Sequence, residues 1–281
     1  MAYVTKTILK GIYPKRGIWA HKGQYGKLLM VCGSKRHTGS PIFCGMAAGR
    51  TGCDLVYLAA PERAADKAAR YSPTLITEPL KGERLAPKHV GQILKMAEET
   101  RASALLIGPG LWRAPETFKA ILELIRRIDL PMIIDADAIR AVATDKAVLK
   151  GKRAVLTPHS NEFFTLSGKA PSRDVKKRTK QAEAVAKELG CTVLLKGAVD
   201  IITDGKRTAL NKVHSNLMTK GGMGDTLAGI CGALLARGTE PFLAGCAAAF
   251  INGSAGLAAV KKKGEGALAT DLIEEIPDAI K

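Results

Sequence analysis

The amino-acid sequence predicts an α/β fold in which a mainly parallel sheet carries helices on both faces. Short runs of Val, Ile and Leu alternate with amphipathic stretches along most of the 281 residues, which is the pattern of successive β-α-β units. A hydrophobic content of 46% can fill a sizeable core. Because no low-complexity linker or repeat divides the chain, we expect one domain over residues 1–281, with residues 1–20 as an N-terminal extension.

The central strands are predicted from apolar runs that are bounded by turn residues. These runs occupy residues 27–32, 54–59, 104–107, 131–134, 154–156 and 192–195. Two further segments, 199–203 and 207–210, flank the dipeptide Asp204-Gly205, which is typical of a hairpin turn. The hairpin predicts an antiparallel edge to the sheet.

Helix starts are predicted where capping residues and prolines precede amphipathic stretches. Ser40 is expected to cap a helix that has Pro41 at its first position, N1, and Pro171-Ser172 to begin a helix that ends at Gly190. The remainder of the chain predicts three more helices with small residues for close packing, at 225–237, 241–262 and 270–280.

Charge and cysteine content bear on the partners and the compartment. The net charge of +17 is compatible with nucleic acid, with an anionic small substrate or with a solvated basic surface. The densest basic runs, 173–180 and 261–263, fall on predicted helices with few interleaved aromatics, which disfavours nucleic-acid binding. Six cysteines without a C-x-x-C pair are expected to be reduced core thiols. With neither an export signal nor a long uninterrupted apolar run, we expect a soluble cytoplasmic protein without a membrane partner.

Two glycine turns compete as phosphate-binding elements, since no G-x-x-x-x-G-K-[ST] motif occurs. Gly108-Pro109-Gly110 follows a predicted strand, but Arg113 occupies the third glycine position of a dinucleotide fingerprint. We therefore expect this turn to line another kind of pocket. Asp135 and Asp137, at the end of the next strand, have either a capping role or a metal-linked role.

The second glycine turn, GGMGD at residues 221–225, leads directly into an apolar helix. The first amides of such a helix are free to bind an anion, and glycines let a phosphoryl group approach the backbone. Asp225 then stands where it could accept the proton of an attacking hydroxyl. The alternative is that Asp225 only caps the helix.

Further polar residues follow predicted strands at the edge where α/β proteins bind ligands. Lys196-Gly197 predicts either a nucleotide contact or a lysine that leaves the sheet for solvent. His159 and Glu162 follow another strand, and Glu162 either reaches magnesium through water or satisfies a helix dipole. The loop at 33–39 carries Lys35, Arg36 and His37 as substrate contacts or as a solvated tip.

Taken together, these segments resemble the ADP/ATP-dependent NAD(P)H-hydrate dehydratase family of the ribokinase-like superfamily. The resemblance covers nearly the whole chain after residue 20 and rests on the order and spacing of its motifs. These are HKGQYGK at 21–27, GS at 33–34, TG at 38–39, IGPGL at 107–111, IDADA at 134–138, LTPH at 156–159 with Glu162-Phe163, LKG at 195–197, GGMGDTLAG at 221–229 and ATDLI at 269–273.

The resemblance implies a three-layer ribokinase-like fold and the repair of hydrated nicotinamide nucleotides. NADHX or NADPHX would be phosphorylated on the C6 hydroxyl by ATP or ADP, with Mg²⁺, and phosphate would then leave. It implies substrate contacts from Ser40, Gly110, His159 and Asp225, with Asp225 as the catalytic base. The implied nucleotide contacts are Lys196, Gly197, Ala198, Val199, Asp200, Gly221, Gly222 and Gly224, and Glu162 matches an acidic position linked to magnesium through water.

Several residues depart from the family pattern. Ser40 stands where alanine is usual, Trp112 where glycine follows the Gly-Pro-Gly-Leu motif, Lys220 where Ser or Thr is common, and Asn252 where His is frequent. These changes bear on the shape of the substrate pocket. Family members often carry an epimerase domain ahead of this one. Because 281 residues leave no room for it, any epimerase partner is expected to be a separate protein. A homo-oligomer is also expected. The competing hypotheses are a kinase of a small vitamin-precursor alcohol and, more remotely, a nucleic-acid-binding protein.

Overall fold

The computed structural model describes residues 2–281 and contains one ten-stranded sheet. The spatial order of its strands is β1-β10-β9-β8-β7-β6-β5-β2-β3-β4. The strands are β1 (Ala2–Tyr3), β2 (Lys27–Val31), β3 (Leu55–Pro61), β4 (Leu75–Leu80), β5 (Ala104–Ile107), β6 (Met132–Ile134), β7 (Ala154–Leu156), β8 (Thr192–Leu195), β9 (Asp200–Thr203) and β10 (Thr208–Asn211).

Helices cover both faces of this sheet. They are α1 (Ser40–Arg50), α2 (Glu62–Tyr71), α3 (Val90–Thr100), α4 (Pro115–Arg127), α5 (Asp137–Thr144), α6 (Ser160–Ser167), α7 (Val175–Leu189), α8 (Met223–Ala236), α9 (Pro241–Lys263) and α10 (Ala269–Ile280). Short 3₁₀ turns lie at Lys6–Gly11, Pro87–His89, Lys146–Leu149, Asn216–Met218 and Gly264–Gly266.

The strand pairing creates a crevice in the middle of the sheet. All neighbours from β4 to β8 are parallel, whereas β8–β9 and β9–β10 are antiparallel. The chain runs outward from β2 in one direction through β3 and β4, and in the other through β5 to β8. The loops that follow the carboxyl ends of β2 and β5 therefore lead away from each other and leave a crevice between them. Open α/β sheets bind ligands in such a crevice.

Two apolar cores sandwich the sheet and make three layers. One contains buried residues of α1, α2, α8, α9 and α10, and the other contains those of α3 to α7. Close packing on the first side depends on small residues: a Cβ on Gly229 of α8 would lie 2.2 Å from the carbonyl oxygen of Cys44 in α1. Most alanines and glycines of α9 are likewise buried, so they serve packing within the subunit.

The predicted strands and the antiparallel hairpin are confirmed, but the sheet extends further at both edges. Strand β4 has no counterpart in the prediction because Glu78 and Pro79 interrupt its apolar pattern, and proline is tolerated on an edge strand that lacks one neighbour. Strand β1 pairs in parallel with β10 at the opposite edge. Leu9 of the expected N-terminal extension is buried in the core, so this part of the extension packs on the domain.

Several predicted helix starts are wrong in detail: α8 begins at Met223 rather than 225, and α10 at Ala269 rather than 270. Gly39 rather than Ser40 is the N-cap residue of α1, which leaves the Ser40 hydroxyl free for other contacts. The helix expected at Pro171-Ser172 begins at Val175, because the Asp174 carboxylate accepts a hydrogen bond from the amide of Lys177 at 2.8 Å and caps it there. Its predicted end is confirmed, with Gly190 in the left-handed conformation that stops a helix.

The cysteines and the long apolar helix α9 also bear on the predictions. All six cysteines are buried and free, as expected of core thiols. The segment Pro241–Gly266 is long and apolar enough to cross a membrane by composition, but 67% of its most apolar window is buried within the fold. Such burial is typical of a core helix and carries no indication of a membrane span.

Candidate active site

The loops after β2 and β5 meet at the central crevice. The amide of Gly33 donates to the carbonyl of Pro109 at 2.8 Å, which holds the two loops together. Gly110 has φ 68°, and a Cβ there would lie 3.0 Å from Ser40 Oγ and 2.8 Å from His37 Cβ. The absence of a side chain at Gly110 thus lets the loop rest directly on the start of α1.

Asp225 lies in the first turn of α8, which starts after Gly222 at φ 89°. Gly222 holds the N-cap position, so the alternative that Asp225 merely caps the helix is not realised. Burial, reinforced by the charge of Asp135, raises the pKa of Asp225 to about 7, while a hydrogen bond from Ser40 and the charge of Lys196 act in the opposite direction. A carboxylate with such a pKa is suited to general base work near neutral pH.

This pKa predicts how turnover depends on pH. If Asp225 is the base, only its ionised form is active, so kcat should fall about tenfold per pH unit below about 7 and reach a plateau above it. Steady-state rates measured at saturating substrates across this range test the prediction. A kcat that stays flat across about two pH units below neutrality would contradict the assignment.

Lys196 lies at the end of β8 and is surrounded by carboxylates. Its Nζ is 3.1 Å from Asp135 Oδ1 at the end of β6, and the side chain is only 20% exposed. Burial alone would lower the pKa of Lys196, but the charges of Asp135, Glu162 and Asp225 outweigh it and raise the pKa. The alternative that this lysine leaves the sheet for solvent is therefore not realised, and a fixed ammonium group faces the start of α8.

A cavity of about 690 Å³ opens beside this ammonium group. A Cβ on Gly224 would lie 3.5 Å from Lys196 Nζ, so the glycine turn and the lysine face the same space. The predicted residues that line the cavity are His159, Lys196, Gly197, Ala198, Asp200, Gly221 and Gly224. Amides at the start of a helix, a buried cation and glycines without side chains make this cavity suitable for a polyphosphate.

The segment 196–200 forms one wall of this cavity, but not all of its side chains face the cavity. Asp200 Oδ1 accepts a hydrogen bond from the amide of Gly197 at 3.0 Å, and Oδ2 accepts one from the Asn211 amide at 3.1 Å. Val199 packs against the apolar core instead of lining the cavity. Gly222 likewise turns away, since a Cβ there would meet Ala269 and Phe43.

His159 and Glu162 form a capping pair at the start of α6. The amide of His159 donates to Glu162 Oε2 at 2.9 Å, and His159 Nδ1 accepts from the amide of Asn161 at 3.1 Å. Glu162 Oε1 lies 3.3 Å from His159 Nε2. Burial raises the pKa of Glu162, Lys196 opposes that change and Asp135 adds to it. Both oxygens of Glu162 thus have partners, and across residues 2–281 no group of three or more His, Cys, Asp or Glu could hold a metal directly.

Three residues that depart from the family pattern have identifiable contacts. Asn252 Oδ1 accepts a hydrogen bond from Thr226 Oγ1 at 2.8 Å, which fixes the first turn of α8. The ammonium of Lys220 donates to the carbonyl of Glu265. Trp112 has φ 82°, so this tryptophan adopts the left-handed conformation that glycine, usual at this position in the family, would adopt freely.

Two features of the site were missing from the sequence-based prediction. The loop 213–219 also lines the large cavity and contacts segment 196–200 through a hydrogen bond between the His214 ring and the Ala198 carbonyl. Its only sequence signal was its position directly before the glycine turn. The ion pair between Lys196 and Asp135 joins residues 61 positions apart. Each residue lies at the end of a predicted parallel strand. The prediction therefore put both at the edge formed by the carboxyl ends of the strands, but it did not identify them as partners.

The strand order, the crevice between β2 and β5 and the glycine turn at α8 define a ribokinase-like α/β protein. A ribokinase-like superfamily protein from Enterococcus faecalis superposes with a TM-score of 0.86 at 22% identity, over 99% of this chain and 95% of that one. A Bacillus subtilis ADP/ATP-dependent NAD(P)H-hydrate dehydratase, crystallised with ATP and Mg²⁺, gives a TM-score of 0.81 at 24% identity over 99% and 97%. The predicted fold is therefore confirmed.

The chain belongs to the NAD(P)H-hydrate dehydratase family, whose sequence model matches residues 28–278. A bifunctional NAD(P)H-hydrate repair enzyme of Hyperthermus butylicus is 42% identical over 93% of this chain and 49% of its own length. The chain thus spans about half the length of this relative. An ADP-dependent (S)-NAD(P)H-hydrate dehydratase of Cenarchaeum symbiosum is 40% identical over 95% of this chain and 93% of its own.

Proposed function

We propose that this chain dehydrates NADHX and NADPHX to NADH and NADPH by phosphorylating the C6 hydroxyl with ADP or ATP and expelling phosphate. The observation that carries the proposal is Asp225, a largely buried carboxylate with a pKa of about 7 that is hydrogen-bonded to Ser40 and influenced by the ammonium charge of Lys196. It contacts Ser40 at the start of α1 and directly follows Gly224, which lines the cavity suited to a polyphosphate. A hydroxyl bound at Gly110 and Ser40 would thus meet a base and a phosphoryl donor together.

The reaction follows from this arrangement. Asp225 accepts the proton of the C6 hydroxyl while the hydroxyl oxygen forms a bond to the terminal phosphorus. The shortened nucleotide leaves with the electrons of the broken P–O bond. Phosphate is a far better leaving group than hydroxide, since bulk water has a pKa of about 15.7. The electron pair of the ring nitrogen expels phosphate from C6, and loss of a proton from C5 restores the dihydronicotinamide ring.

The residue roles follow the two spaces on either side of Asp225. Ser40 and Gly110 would contact the hydrated ring, and His159, at the edge of the large cavity, would contact the substrate from the other side. The nucleotide would bind against Lys196, Gly197, Ala198, Asp200, Gly221 and Gly224. Val199 and Gly222 would act by holding the backbone of that cavity, because neither lines it.

We propose magnesium as an ion that enters with the nucleotide phosphates. Held with the nucleotide phosphates, the ion would supply positive charge to offset the negative charge of the transferred group. Both oxygens of Glu162 already contact His159, so Glu162 would reach the ion only through water. This fits a site in which the phosphates hold the ion and the chain supplies Lys196 and the amides at the start of α8.

The remaining proposals concern the setting of the enzyme. The buried free thiols support a reducing compartment such as the cytoplasm. We propose a separate epimerase as a partner, and a homo-oligomer whose interface lies elsewhere than the buried small residues of α9. Nucleic acid is not proposed as a partner.

A direct assay separates this function from that of a vitamin-precursor kinase. Incubation with NADHX and either ADP or ATP should restore the absorbance of the reduced nicotinamide ring in step with phosphate release. A reaction without nucleotide is the control. Phosphorylation of a thiazole or pyrimidine alcohol to a stable product, with no return of reduced-ring absorbance from NADHX, would instead establish the kinase.

A further inference from the structure

A second cavity, of about 320 Å³, opens where the loop before Ser40 and the loop after Gly110 meet. We call it the basic cavity, and it is lined by Lys35, Arg36, Arg63, Glu83, Arg84 and Trp112. Four cations thus surround it with a single carboxylate. The chemistry proposed above, which is confined to Asp225 and its surroundings, makes no use of these residues.

The indole of Trp112 forms a fixed wall of the basic cavity. Its backbone is held in the left-handed conformation by the Asp137 carboxylate, which accepts from the Trp112 amide at 3.0 Å and from Arg113 Nε at 3.2 Å. The ring of His37 lies 5.7 Å from the Trp112 ring, and the Arg36 guanidinium lies 5.4 Å from the indole centroid. A bulky residue in this rarely adopted conformation is a feature typical of binding sites.

The cations of the basic cavity divide into two groups. Lys35 forms an ion pair with Glu83, and Arg84 Nε lies 3.1 Å from Glu116. In the part of the chain from residue 2 to 281, no carboxylate lies within 4.0 Å of Arg36 or Arg63, although both line the cavity. Two guanidinium groups without acidic partners, facing one concave space, are suited to binding phosphate.

We propose that the basic cavity binds a phosphate group on the adenosine half of the hydrated dinucleotide, with Arg36 and Arg63 as its ligands and Trp112 as a wall. This inference rests on the proposed function, which puts the reacting ring against Ser40 and Gly110. Trp112 is two residues beyond Gly110, and the large cavity is taken by the phosphoryl donor. The diphosphate of both hydrates and the 2′-phosphate of NADPHX offer the same chemistry to this cavity.

Binding can be measured without turnover because Trp112 is one of only two tryptophans. The other, Trp19, is 89% exposed, so Trp19→Phe leaves Trp112 as the sole indole. In that background, with the large cavity saturated by a non-hydrolysable ATP analogue, NADP⁺ should change the fluorescence in a saturable manner. No saturable change with NADP⁺ or NAD⁺ would overturn the proposal.

Arg36→Gln and Arg63→Gln, made in the same background, identify the ligands. Each should weaken dinucleotide binding about tenfold, as expected for the loss of one charge-assisted hydrogen bond. Arg70→Gln is the matched control, since Arg70 is an exposed arginine on the same helix as Arg63 but outside the cavity. Loss of affinity for NADP⁺ alone would assign the 2′-phosphate, and equal loss for NAD⁺ would assign the diphosphate. Affinities equal to those of Arg70→Gln would overturn the proposal.

Turnover distinguishes this inference from the proposed function. If both hold, Arg36→Gln and Arg63→Gln should raise KM for the hydrate about tenfold and leave kcat unchanged. If the chain binds dinucleotides through the two arginines but restores no reduced ring from NADHX, the proposed function fails and the binding site stands. If it dehydrates the hydrates with unchanged KM in both variants, the function stands and the basic cavity is not part of it.

Discussion

Asp225→Asn should reduce kcat by at least about a hundredfold while leaving the fold and nucleotide binding intact. Asparagine keeps the size and hydrogen-bonding shape of the side chain but cannot accept the proton of the attacking hydroxyl. The measurements are steady-state turnover of NADHX and the affinity for ADP. Asp174→Asn is a matched control, because Asp174 also lies at the start of a helix but caps α7 outside both cavities, and asparagine caps equally well.

The thermal midpoint of Asp225→Asn supplies an independent check. The folded-state pKa of about 7 lies above the ordinary carboxyl value of 3.8, so the native state binds more protons than the unfolded state between these values and loses stability as pH rises through them. Asparagine removes this cost. Above neutral pH the variant should therefore melt at the same temperature as the unchanged protein or higher.

Full turnover of NADHX by Asp225→Asn would show that Asp225 is not the base.

Gly108→Ala should produce a large loss of stability. A Cβ on Gly108 would lie 1.8 Å from the carbonyl oxygen of Asp135 and 2.9 Å from Ala138 Cβ, and φ is 130°. Both a backbone clash and an unfavourable conformation must be relieved, so we expect a loss of about 4 kcal/mol or more in the free energy of unfolding. Urea unfolding followed by circular dichroism measures it.

Gly91→Ala is the control for this substitution. Gly91 is exposed on α3 and a Cβ there would meet nothing within 4 Å. Because alanine has fewer conformations than glycine in the unfolded chain and fits here without a clash, it should raise the free energy of unfolding by about 0.4–1 kcal/mol. If Gly108→Ala cost no more than Gly91→Ala gains, the close contact between the β5 loop and Asp135 would not be needed for folding.

The sequence predicted most of the fold because its signals are local. The runs at 104–107 and 154–156 match β5 and β7 to the residue, since strands buried on both faces are continuously apolar. Strand β4 was missed because Pro79 breaks that pattern, yet pairing with β3 still accommodates it at the edge. Local pattern therefore identifies the central strands better than the edges.

The site was predictable in its parts but not in its pairings. Asp225 and Lys196 each stood out by residue type and position, because a carboxylate behind glycines and a lysine at a strand end are unusual locally. That Lys196 pairs with Asp135 depends on β6, β7 and β8 lying side by side, which one sequence does not specify. The loop 213–219 has no regular pattern, so nothing marked it as a wall of the cavity.

The contact between Gly229 and Cys44 bears on the relative position of Ser40 and Asp225. Because a Cβ on Gly229 would lie 2.2 Å from the carbonyl oxygen of Cys44, α1 with Ser40 and α8 with Asp225 pack backbone to backbone, and neither can slide against the other without a clash. The separation of the Ser40 hydroxyl from the Asp225 carboxylate is therefore set by the packing of two core helices, before any ligand arrives.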